Sequence, residues 1–202
     1  MSGGGMSGDE RRLVIASGNQ GKIREFKQLL NGLPIQVEAQ PDGLDVEETG
    51  STFRDNARIK AKVVAGLTGA WALADDSGLS VEALAGAPGV HSARYAPTDQ
   101  ERIAKLLNAL NGVADRSAHF CAALCIAAPD GELLLEVEGR CEGSIACEPR
   151  GNDGFGYDPV FEVTGTGRTF AEMTPNEKKH HGHRGRAFAL LQPELERLLA
   201  RT

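Results

Sequence analysis

The 202-residue chain has no surplus of basic residues: 22 Lys and Arg stand against 28 Asp and Glu, a formal net charge of −6. That argues against a general nucleic-acid binder, because affinity for the phosphate backbone rests on a basic surface. It leaves room for a small anion held in a local basic pocket. Missing too is any apolar run approaching the roughly 20 residues that span a bilayer. The opening segment, "MSGGGMSGDERR", lacks the apolar centre of a secretory signal. It reads as a disordered extension over residues 1–12, with one domain over 13–202. The four cysteines, Cys121, Cys125, Cys141 and Cys147, include no Cys-x-x-Cys pair. This speaks against zinc and for free thiols in a reducing cytoplasm. Nor is there an internal repeat.

What is present suits one globular domain, or one domain in two lobes, with ample core: 41% of the residues are hydrophobic and 25% charged. Leu13–Ala16 reads as a short apolar strand. Ile23, Phe26, Leu29 and Leu30 form one helical stripe, and Ile35–Ala39 a second strand, so the chain opens β-α-β. Phe53, Ala57, Ala61 and Val64 share a face of the next helix, which Thr52 and Asp55 would cap. "WALADDSGLSVEAL" reads as strand, acidic turn, strand, and "APGVHSARYAPT" as loop. Thr98 and Glu101 then cap an amphipathic helix carrying Ile103, Leu106, Leu107 and Leu110. Apolar stretches 117–128 and 132–140, joined by "PDG", form a β-hairpin. Val160–Val163 is a short strand. Thr174, Pro175 and Glu177 start a helix, and a last helix runs from about Gly185 to Leu199, interrupted at Pro193. Early alternation with a late hairpin gives an α/β protein with a mixed sheet, whose ligands would sit where loops leave the strands.

Four segments could carry chemistry. "SGNQGK", Ser17 to Lys22, lies between the first strand and helix. It fits neither the P-loop nor the dinucleotide fingerprint. Gly18 and Gly21 would still let backbone approach an anion, with Lys22 and the free N–H groups of a helix start beside it. A turn with a solvated lysine is the alternative. Two acid pairs, Glu47-Glu48 and Asp75-Asp76, are either solvated loop residues or ligands for a hard cation such as Mg2+ and a base for water. In "GFGYDP", Phe155 and Tyr157 could stack on a flat ring while Asp158 accepts from ring nitrogens, or both aromatics could pack inward. "EKKHHGHRGRA" holds three histidines, yet His180 and His181 are adjacent and no suitable cysteines complete a zinc site. It reads better as a cationic cluster of Lys178, Lys179, Arg184 and Arg186, suited to phosphates and a carbonyl-bearing base, or as a solvated helix connection.

Together, "SGNQGK", "EETGSTFRDNARIKA", "ADDSGLSVEALAGAPGVHSARYA", "GFGYDPVF" and "HRGRA" resemble, in order, the motifs of the inosine/xanthosine triphosphate pyrophosphatase family, from Leu13 to about Leu199. The resemblance implies an elongated mixed β-sheet flanked by helices, two lobes with a central active-site cleft, and a homodimer. It also implies Mg2+-dependent hydrolysis of non-standard purine nucleoside triphosphates to monophosphate and pyrophosphate. By position in those motifs, Ser17, Gly18, Asn19, Gln20, Gly21 and Lys22 would hold the triphosphate, and Lys60 would face it. Glu48 and Asp76 would bind the metal with support from Asp75, and Asp76 would activate water. Ser77, Phe155, Gly156, Tyr157, Asp158, Lys178, His183 and Arg184 would contact the substrate, with Phe155 stacked on the purine. Gly182 stands where many members carry serine. The alternatives are a related house-cleaning pyrophosphatase for modified pyrimidine nucleotides, or a nucleotide-binding regulator without catalysis. No nucleic acid or membrane partner is expected.

Overall fold

A computed structural model describes residues 11–201. Six strands form one sheet in the order β2-β1-β3-β4-β5-β6. The parallel half is β1 (Arg11–Ala16), β2 (Ile35–Ala39) and β3 (Trp71–Val81). β4 (Ser117–Ala127), β5 (Leu133–Ile145) and β6 (Phe161–Val163) continue it antiparallel. The helices are α1 (Gln20–Leu29), α2 (Phe53–Thr68), α3 (Asp99–Ala109), α4 (Pro175–His181) and α5 (His183–Leu199). The mixed α/β sheet flanked by helices is the one expected. No helix among the described residues is long and apolar enough to cross a membrane.

Side chains alternate across a strand, and β3 uses both faces. On one face, Trp71 and Leu73 join Leu13, Ile15, Phe26 and Phe188 in a core under α1 and α5. Further along that same face, Leu79 and Val81 join Leu106, Phe120, Phe161 and Phe170 in a second core. Asp75 and Ser77 fall between the two cores and leave a polar cleft there. The opposite face, with Ala72, Ala74 and Ala123, packs against Ala57, Ala61 and Val64 of α2. The two lobes are therefore two cores sharing long strands.

Several expected boundaries move. The segment read as strand, acidic turn, strand is a single 11-residue strand, paired with β4 from Ala72↔Ala127 to Val81↔Ala118. Adjacent acids do not break it because each is matched by buried cations on its own side. β5 extends to Ile145, five residues past Arg140, because Cys141 and Ile145 are buried in the second core. The presumed loop after β3 contains a 3₁₀ helix, Gly89–Arg94. β6 starts one residue late, at Phe161. α5 begins at His183 and continues through Pro193. Ala189, whose carbonyl would otherwise receive the missing N–H, lies on an exposed stretch where water can serve it. The expected N-terminal extension lies outside the described residues except for Arg11 and Arg12, which already belong to β1. The predicted caps form: Thr52 accepts from Asp55 N, and Thr98/Glu101 and Thr174/Glu177 are reciprocal capping boxes.

Candidate active site

The two acids of β3 serve opposite sides of the sheet. On the α1/α5 side, Asp75 Oδ2 meets Lys22 Nζ at 2.7 Å and Arg184 Nε at 3.3 Å, and accepts from Ser77 Oγ at 3.0 Å. Arg184 also donates to Ser77 Oγ (2.6 Å) and Glu25 Oε2 (3.1 Å). Three of the five guanidinium N–H groups are thereby used and two remain. Burial alone would raise the Asp75 carboxyl, but Lys22 and Arg184 outweigh it and hold the group well below the usual carboxylate range. Lys22 is lowered, chiefly by burial, with Asp75 opposing.

On the α2 side, Lys60 Nζ lies at 2.7 Å from Glu48 Oε1, 2.8 Å from the Asp75 carbonyl and 3.2 Å from Asp76 Oδ1. Three oxygens thus converge on one positive charge. Burial works against that ammonium, yet Asp76 and Glu48 raise its pKa overall. The Asp76 carboxyl is pushed up by burial, which Lys60 only partly offsets. Glu48 is held down because Lys60 and Arg94 outweigh its burial. Asp75 reaches this cluster through its carbonyl alone. No group of three or more His, Cys, Asp or Glu suited to a metal is present among the described residues. The donor set is nevertheless one for a hard cation: two carboxylates, with waters and substrate phosphates to complete the shell.

α1 starts earlier than the sequence placed it, so Gln20, Gly21 and Lys22 form its first turn instead of the end of the loop. Asn19 is its N-cap and accepts from Lys22 N at 3.0 Å, while Ser17 Oγ accepts from Asn19 N at 3.1 Å. A Cβ at Gly18 would meet no atom closer than Gln40 Nε2 at 3.9 Å, and Gln20 is the first helical residue. Gly21 does something else: a Cβ there would lie 2.6 Å from the Phe155 ring, so the missing side chain seats that aromatic. In the "GFGYDP" loop the two aromatics take different places. Tyr157 packs inward and donates to Ser92 O at 2.8 Å, whereas Phe155 lines a cavity of about 80 Å³ with Asn19, Lys22, Ser77, His183 and Arg184. Lys178 Nζ stands 4.7 Å from the Phe155 ring centroid. Asp158 Oδ2 is occupied by Phe155 N (2.9 Å) and Lys178 Nζ (2.7 Å), and Gly156 N donates to Asp99 Oδ2 (2.9 Å).

His183 and Arg184 reach the cavity because α5 lies close on the sheet. A Cβ at Gly139 would come within 2.3 Å of both the His183 carbonyl and the Ala187 nitrogen. The His183 ring stacks on Phe120, centroids 4.6 Å apart, and neither ring nitrogen has a partner. Burial, then Arg184, lowers its pKa well below the ordinary value, so the imidazole is neutral.

A sequence model of the Ham1 family matches residues 13–194. The chain belongs to the Ham1 family. It is 70% identical over 190 residues to the dITP/XTP pyrophosphatase of Parasynechococcus marenigrum (strain WH8102), covering 94% of this chain and 97% of that protein. A solved HAM1 protein from Coxiella burnetii superposes with a TM-score of 0.82 at 45% identity, over 95% of this chain and 100% of its own. The Staphylococcus aureus Ham1 protein gives 0.81 at 42%, over 92% and 98%. The resemblance drawn from the five motifs is thus borne out, and with it the fold. Four side chains of this Ham1-family site carried no assigned role in the sequence: Asn56, Glu25, Arg94 and Asp99. Asn56 had a readable signal, since it and Lys60 interrupt the helical stripe Phe53, Ala57, Ala61, Val64 with polar residues one turn apart.

Proposed function

We propose that this chain hydrolyses ITP, dITP and XTP to the nucleoside monophosphate and pyrophosphate, clearing non-standard purines from the nucleotide pool. The observation that carries the reading is the pairing across β3: a water-activating acid beside a cation seat on one face, buried cations on the other. It fits a family whose relatives include a dITP/XTP pyrophosphatase. Asp76, its basicity raised by burial, takes the proton of a water that attacks the α-phosphorus. The new O–P bond forms as the bond from the α-phosphorus to the bridging oxygen breaks, and pyrophosphate leaves with that electron pair. Lys22 and Lys60 offset the charge that grows on the leaving group. Glu48 and Asp76 would hold Mg2+, which supplies further charge neutralisation when bound.

The purine would lie on Phe155, with Ser77, Gly156, Tyr157, Asp158 and Lys178 framing the cleft and residues 17–22 along the triphosphate. Arg184 can only donate, and hypoxanthine or xanthine offers it a carbonyl at position 6. Adenine offers an amino group and would leave buried donors unpaired, a heavier penalty than the loss of a methylene. A cytoplasmic homodimer completes this reading.

The test is a panel of ITP, dITP, XTP, ATP and modified pyrimidine triphosphates, with pyrophosphate release measured with and without Mg2+. ITP, dITP and XTP turn over only with the metal, and ATP stays nearly intact. Preference for a modified pyrimidine would transfer the chain to the other house-cleaning group. Asp76→Asn cuts turnover to a small residual rate while nucleotide still binds.

A further inference from the structure

Asn56 is only 2% exposed, in the first turn of α2 beside the buried Ala57 and Ala61. A buried amide is costly unless both of its ends are bonded. Here both are: Oδ1 accepts from Gly50 N at 2.8 Å, and Nδ2 donates to Asp76 Oδ2 at 3.1 Å. The Gly50 N–H can only donate, so the amide oxygen must face it, and the NH2 group is left to face the carboxylate. Gly50 belongs to the same loop as Glu48. One side chain thus links that loop to the acid on β3.

From this geometry we infer that Asn56 is a positioning residue for the hydrolytic reaction. It pins Asp76 Oδ2, and so keeps Oδ1 turned to Lys60 and to the water. Asp76 offers two equivalent oxygens, and rotation about its last torsion would exchange them. The bond from Asn56 removes that freedom without touching substrate. The inference rests on the reading of Asp76 as the proton acceptor. Asn56 has its hydrogen bonds to Gly50 and Asp76 and none to residues 17–22 or the Phe155 loop, which would hold the nucleotide.

A double-mutant cycle tests this, with kcat and KM for ITP measured at saturating Mg2+ and thermal melts confirming that each variant folds. Asn56→Ala lowers kcat about 100-fold, as for a misplaced reacting group, and leaves KM within about twofold. In the Asp76→Asn background the same change costs nothing further, because the group it acts on is gone. Should Asn56→Ala fail to fold, Asn56→Asp replaces it. That variant keeps the acceptor for Gly50 N–H and loses the amide donor, so a similar kcat loss at constant KM supports the role. A kcat within about threefold of the parent, a KM that rises in step with the kcat loss, or an equal loss in both backgrounds would overturn it. Full turnover in Asp76→Asn alone would instead remove the base beneath the proposal and end both.

Discussion

At the scale of single residues, the buried groups set how the protein answers pH and reagents. An imidazole whose folded pKa lies below 6.5 binds fewer protons folded than unfolded in mild acid. The contribution of His183 is therefore fully kept above pH 6.5 and lost as pH falls from there towards its folded value. The slope is at most about 1.4 kcal/mol per pH unit. Thermal melts between pH 5 and 8 should show this loss, and His183→Asn should flatten it. The thiols behave differently. Burial pushes Cys125 up to about 12 and Cys141 up to about 11, whereas Cys147 is exposed. At pH 8 a thiol reagent followed by mass spectrometry should label Cys147 first, with Cys125 and Cys141 reacting only after unfolding. Lysines in motif context were legible: Lys22 and Lys60 both arrive at the acids of β3. Glu25 was not, because its contacts to Arg184 on α5 and Lys178 on α4 lie about 150 residues further along the chain and leave no local pattern.

At the scale of elements, the termini were the most readable part. Thr52, Thr98 and Thr174 are N-caps because a threonine oxygen meets the free N–H groups that every helix start leaves open. Close approaches were not readable. Ser77, Ala122 and Gly139 stand side by side across β3, β4 and β5, and this row of small residues lets the first turn of α5 rest on the sheet. Since a Cβ on Gly139 would strike backbone atoms, Gly139→Ala must move α5. A cost of about 1–3 kcal/mol is expected from denaturant melts, with a raised KM for ITP as His183 and Arg184 shift. Gly21→Ala meets only the side chain of Phe155. It should raise KM through a displaced ring while leaving the melting temperature nearly unchanged. β3 itself was misread as two strands because adjacent acids look like a turn until each is given a buried counter-charge.

At the scale of the whole molecule, two lobes do not mean two folding units. β3, β4 and β5 each contribute side chains to both cores on the same face, so neither core can form fully without the strands of the other. Unfolding should be one cooperative transition. Trp71, the sole tryptophan, reports the first core. Near-ultraviolet signals of Tyr95 and Tyr157 report the second. The two probes should give coincident denaturant curves, and separate midpoints would show that the lobes melt independently. The alternation of β3 has a further consequence. Asp75 and Asp76 differ only in which way an extended chain turns them, so their jobs are assigned by parity. Inserting or deleting one residue between Trp71 and Asp75, with the downstream pairing kept, would change no chemical group in the cleft. It would strand the apolar residues upstream on the wrong sides of the sheet. Conversely, a slip of the whole strand by one place would hand Lys22 the acid meant for Lys60. This segment should therefore tolerate substitutions of residue size far better than any change in length.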